Sequence, residues 1–85
     1  MKILLFKISS CHQCQQQEQV YKEHGIAYIP CELFKNRQLA RLYGVTDAPT
    51  TVIVDDNNIM LHKYSMLLSG RNLEKITYYQ KKYGK

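Results

Sequence analysis

Apolar residues open the chain as an unbroken run, Ile3-Leu4-Leu5-Phe6, and later recur as short segments separated by glycine, proline and asparagine. Four apolar positions without polar alternation suit a strand covered on both faces, so a central strand is expected from Lys2 to Ile8. Gln15 to His24 is rich in straight-chain polar residues and reads as a helix. Its apolar side is thin: Val20 and Tyr21 face inward, with Gln17 half-buried beside them. Gly25 ends that helix at C′, and Ile26-Ala27-Tyr28-Ile29 begins a second strand that Pro30 confines to a sheet edge. Asn36 is placed to cap a short helix whose Leu39, Leu42 and Tyr43 share one face, closed by Gly44. Thr51-Val52-Ile53-Val54 is a β-branched strand, Asp55 to Asn58 a tight turn, and Ile59 to Tyr64 the returning strand of a hairpin. After Ser69-Gly70, a last helix starting near Asn72 turns Leu73 and Ile76 inward, with Tyr79 or Tyr83.

The chemistry stands at the first junction. Cys11-His12-Gln13-Cys14 follows the first strand and precedes the first helix, and two cysteines so spaced can cycle between dithiol and disulfide. A helix start offers free N–H groups and the positive end of the helix dipole, which stabilise a thiolate. One sulfur attacks a partner's disulfide; the other, a helical turn away, resolves the mixed disulfide. Zinc sites use the same spacing but need two further ligands. No second CxxC exists, and Cys31 with His12 or His24 follows no ligand spacing, so no metal is expected.

Composition narrows the setting. The 85 residues, 45% hydrophobic and 22% charged, suit a single domain spanning 1–85 with one thin core. Lys7 interrupts the opening apolar run before it reaches signal-peptide length, and no stretch is long enough to cross a bilayer. A soluble, cytoplasmic protein with no membrane partner is expected, in keeping with an odd cysteine count. The net charge of +5 lies entirely in residues 57–85, where Lys63, Arg71, Lys75, Lys81, Lys82 and Lys85 face Glu74 alone. A lysine-rich last helix complements its own dipole. A basic face for an acidic protein partner is the other reading, and nucleic acid is not an expected partner.

The order β-α-β-α-β-β-α, the CxxC after the first strand and the segment Tyr43-Gly44-Val45-Thr46-Asp47-Ala48-Pro49-Thr50 before the third strand together resemble the thioredoxin superfamily. The resemblance implies an α/β fold: a four-stranded mixed sheet in the order 2-1-3-4 with three helices on both faces. It further implies a thiol-disulfide oxidoreductase that reduces disulfides in protein substrates. Cys11 is then the attacking thiolate and Cys14 the resolving thiol. Pro49 is the cis-proline facing them, and Ala48 and Thr50 join Ser10, His12 and Gln13 at the substrate-binding rim. The cofactor is the Cys11–Cys14 disulfide itself, and the partners are a disulfide-containing protein and a reductase such as thioredoxin reductase, met by a monomer.

Departures from the family pattern keep subgroups open. CHQC is neither CGPC nor CPYC, and Gln13 is similar to the CxQC of glutaredoxin-like hydrogen donors to class Ib ribonucleotide reductase, whose tryptophan segment is absent here. The lysine that glutaredoxins place three residues before the first cysteine falls on Ile8, with Lys7 one position early, which argues against glutathione. Leu5 replaces the buried acid of thioredoxins, leaving water or Glu18 to deprotonate Cys14. His12 either makes the pair more oxidising or stays a solvated bystander. Cys31 reads as a small semi-buried strand residue or a site of regulatory oxidation. A redox-silent or zinc-holding binding module is the reading outside enzymes.

Overall fold

The computed structural model describes residues 1–83, with side chains through Lys82. Four strands, β1 (Lys2–Lys7), β2 (Ile29–Glu32), β3 (Thr50–Val54) and β4 (Met60–Tyr64), form one sheet in the order β2-β1-β3-β4. β2 lies parallel to β1, whereas β3 pairs antiparallel with both β1 and β4. Among the described residues three α-helices accompany the sheet, α1 (His12–Glu23), α2 (Arg37–Leu42) and α3 (Arg71–Tyr83), with a 3-10 turn over Leu33–Lys35 before α2.

Alternation along the central strands sorts their side chains onto two buried faces. Ile3, Leu5 and Ile53 join Tyr21, Ile26, Leu73 and Ile76 beneath α1 and α3. Leu4, Phe6, Val52 and Val54 point the other way and pack with Ala40, Tyr43 and Val45 around α2. That double cover is why the opening run is continuously apolar. Pro30 sits within β2 at the sheet's edge, where a missing N–H is tolerated.

Several boundaries differ from the expected ones. α1 begins three residues early, at His12, because Cys11 itself serves as its N-cap. The second strand begins at Ile29 rather than Ile26, because Ile26 belongs to the end of α1. Its N–H reaches Tyr21 O at 2.9 Å, and Gly25, at φ +64°, donates to Lys22 O, the paired bonds of a Schellman ending. Gly44 ends α2 in the same way, with Val45 N bonded to Ala40 O at 2.8 Å. Asn36 stands at the N-cap of α2 without a side-chain cap bond; its amide donates to Glu32 O instead. Leu42 is not inward but 70% exposed. At about 100° per residue, the stripe through Leu39, Ala40 and Tyr43 leaves Leu42 outside, and the small Ala40 takes the sheet-facing place. In the hairpin, Asp55 accepts from the N–H groups of Asn57 and Ile59, which holds Ile59 in the turn and starts β4 at Met60. α3 starts at Arg71, one residue ahead of Asn72; Leu73 and Ile76 are buried and Tyr79 partly so, while the side chain of Tyr83 and Lys85 lie outside the described residues.

Candidate active site

Ser10 turns the chain into α1 through the left-handed region, at φ +66°. Cys11 follows in an extended conformation, and its Sγ accepts the backbone N–H of Cys14 at 3.1 Å. A sulfur thus occupies the place of the usual N-cap oxygen and satisfies one of the free donors of the helix start. The first turn carries no acidic residue to neutralise the positive end of the dipole, so negative charge on Cys11 is favoured there. Cys11 and Cys14 are joined as a disulfide with Cα atoms 5.2 Å apart, well inside the span such a bond requires. Cys11 is partly exposed and Cys14 is 1% exposed, so an incoming partner meets one sulfur and not the other. Ser10, His12 and Gln13 are exposed around the pair.

Strand register brings two more segments to this end of the sheet. Phe6 pairs with Thr50, so the end of β1, which leads to the cysteines, lies against the start of β3. The Ala48–Pro49 bond immediately before β3 is cis, with Pro49 buried and Ala48 half-buried. Thr50 is buried, and its hydroxyl donates to Asp47 O at 2.8 Å. Thr51 pairs with Tyr64, which places the exit of β4 and the loop after it at the same end. That loop presents Met66, 60% exposed, and is tied to α1 through Gln17. Neither the complete burial of Gln17 nor the place of Met66 at this end of the sheet follows from the sequence pattern, in which Gln17 is half-buried and the stretch 65–68 is a connection. The one available signal was an amide at the inward spacing of Cys14 and Tyr21 on an otherwise polar helix.

Behind the pair, Leu5 is fully buried among apolar neighbours. Glu18, one turn beyond Cys14, is already engaged: Lys7 Nζ donates to it at 2.7 Å and the Tyr28 hydroxyl at 2.6 Å. Burial pushes its carboxyl up, but the Lys7 and Tyr28 hydrogen bonds and the charges of Lys7 and Lys22 outweigh this and hold it below the usual carboxylate value. Both carboxylate oxygens are thus taken by Lys7 and Tyr28, which leaves solvent to carry off the Cys14 proton. Cys31 is buried in β2, and burial pushes its thiol up. Among the described residues no three His, Cys, Asp or Glu side chains are grouped to hold a metal ion, and no helix is long and apolar enough to cross a membrane.

Thioredoxin 1 from Thermosipho africanus superposes with a TM-score of 0.68 at 20% identity, over 98% of this chain and 93% of that one. A thioredoxin from Halobacterium salinarum, solved as a point mutant, gives a TM-score of 0.76 at 22% identity, over 98% of this chain and 74% of its own. Thioredoxin-2 of the malaria parasite gives 0.68 at 27% identity, over 89% and 79%. The chain has the thioredoxin fold. No family model and no curated protein matches it in sequence. Within the thioredoxin fold the CxxC disulfide occupies the start of the helix after the first strand here, and the cis-proline precedes β3 at the same end of the sheet.

Proposed function

We propose that the protein is a thiol-disulfide oxidoreductase acting on protein disulfides. The observation that carries this reading is the unequal exposure of a bonded cysteine pair at a helix start, with Cys11 accessible and Cys14 buried behind it. In the reduced protein the Cys11 thiolate attacks one sulfur of a partner disulfide. An S–S bond forms between the two proteins as the partner's bond breaks, and the departing partner sulfur takes a proton. Cys14, deprotonated by water, then attacks Cys11 Sγ; the Cys11–Cys14 bond forms, the mixed disulfide breaks and the partner leaves as a dithiol. Two electrons and two protons pass to the partner, and no other cofactor takes part.

Ser10, His12 and Gln13 form the rim that a partner meets, with Ala48 offering backbone groups beside Pro49 and Thr50 supporting that turn from below. The working environment is a cytoplasm, where a reductase of the thioredoxin reductase type returns the pair to the dithiol. Gln13, exposed between the cysteines, supports a narrower second reading as hydrogen donor to ribonucleotide reductase. The deciding experiment incubates the reduced protein with a protein disulfide and follows thiol release. Cys11→Ser is expected to abolish release and Cys14→Ser to accumulate a covalent complex; full release by Cys11→Ser overturns the proposal. Stimulation of ribonucleotide reductase by the reduced protein, absent with both cysteines replaced, selects the second reading.

A further inference from the structure

The two sheet faces are covered unequally. α1 and α3 cover one of them, whereas the short α2 and the 3-10 turn over Leu33–Lys35 cover the other. A groove of about 400 Å³ lies on these short elements, running over Ala40 and Val45 and walled by Phe34, Arg37, Arg41 and Thr46. Phe34 stands 62% exposed, and the Arg37 guanidinium lies 5.9 Å from its ring centre, a cation–π contact that keeps charge and ring together on one wall. Arg37 and Arg41 are four residues apart and therefore share one face of α2. At the far end of that helix, Lys63 Nζ donates to Gly44 O at 3.1 Å, setting a third cation beside a residue of the groove. No carboxylate belongs to the lining; Asp47, the next residue after Thr46, turns its Oδ1 to the Thr50 hydroxyl at 3.2 Å.

An apolar floor bordered by cations and free of acids defines its complement. We propose that this groove docks an acidic peptide segment carrying one aromatic or long aliphatic side chain. The apolar side chain lies on Ala40 and Val45 against Phe34. Carboxylates on either side of it pair with Arg37 and Arg41, whose planar guanidinium groups donate two parallel hydrogen bonds to a carboxylate. Thr46 precedes Pro49 by three residues, so chain length alone keeps the groove's edge within about 11 Å of the cis-proline turn. A protein whose disulfide is at Cys11 can therefore occupy the groove with residues flanking that disulfide. The occupant's identity as a substrate rests on the oxidoreductase reading; the binding itself does not.

Two measurements separate these points. The first titrates the protein with a blocked, cysteine-free Glu-Asp-Phe-Glu-Asp peptide and records backbone amide shifts. Shifts clustered in residues 33–46 are expected, weakened by added salt and at least about ten-fold weaker in the double variant R37E/R41E. A Lys-Lys-Phe-Lys-Lys peptide should not bind. Both arginines are exposed, and the amide spectrum of the variant reports its fold directly; Phe34→Ala is the uncharged companion and should also weaken binding. Absence of binding, equal binding of the lysine peptide, or affinity unchanged in R37E/R41E overturns the groove. The second compares reduction of disulfide peptides with acidic-aromatic and neutral flanks. The native protein should prefer the acidic flank by about ten-fold, and R37E/R41E should lose that preference; no preference in the native protein overturns the substrate assignment. Failure of the native protein to reduce any disulfide sinks the oxidoreductase reading, while the peptide titration still decides the groove.

Discussion

Gln17 and Leu68 are bonded twice: the Gln17 carboxamide N–H donates to Leu68 O at 3.3 Å, and its oxygen accepts the Leu68 N–H. Both residues are fully buried. A side chain of the cysteine-bearing helix thus takes the place of a neighbouring strand for the β4–α3 connection, and the loop with Met66 is held against α1 by it. Gln17→Ala should leave a buried donor and a buried acceptor unpaired, costing about 3 kcal/mol of stability. Urea denaturation should show a lowered midpoint at unchanged slope.

Glu18 couples stability to acid. Its folded-state carboxyl is held below the ordinary value of 4.5 despite the opposing effect of burial, so the fold binds that proton less readily than the unfolded chain. Its stabilising contribution is present above pH 4.5 and is lost as the pH falls through the lower folded-state value. Glu18→Gln should flatten this acid limb, read as thermal midpoints between pH 6 and pH 2.

Tyr21 acts at the other extreme. Its hydroxyl is buried against Thr51 Oγ1 at 2.6 Å, and burial, only partly offset by that bond, pushes it up to about 12. Here the fold prefers the neutral form, so stability is complete below the ordinary tyrosine value of 10 and declines as the pH climbs toward 12. Tyr21→Phe should cost about 1 kcal/mol near neutrality by stranding the Thr51 hydroxyl and yield a shallower alkaline decline, measured by denaturation at stepped pH.

Cys31 should behave as an inert thiol. Burial and its raised thiol value slow reaction with iodoacetamide in the folded protein. Mass spectrometry should show no adduct on the native disulfide form, one after denaturation, and rapid modification of Cys11 first after mild reduction. Fast native labelling of Cys31 would contradict its burial with Leu4 and Phe6 on the α2 side of the sheet.

Much of this was legible beforehand because the signals are local. The apolar run of β1, the β-branched β3, the Asp-Asp-Asn-Asn turn and the two helix-ending glycines each carry their own geometry. The cysteine pair could be placed at a strand-to-helix junction from the apolar run before it and the helix-forming residues after it. What escaped depends on partners distant in sequence. Gln17 looks half-solvated until Leu68, 51 residues away, fills its hydrogen bonds. Leu42 looks like part of the inward face, yet it is Ala40 that packs with Leu4 and Phe6, far away in sequence. Phe34, Arg37 and Arg41 come together only because the 3-10 turn folds Phe34 back toward α2.

Thin cover over one side of the sheet has a thermal meaning. Six helical residues of α2 and an edge strand can separate from the rest while α1, α3 and the three antiparallel-paired strands stay assembled. Exchange of amide protons for deuterium should therefore proceed earliest around residues 29–46 and latest in β1 and β3. The molecule is thus expected to be armoured on the flank that carries Cys11 and Cys14 and supple on the opposite one.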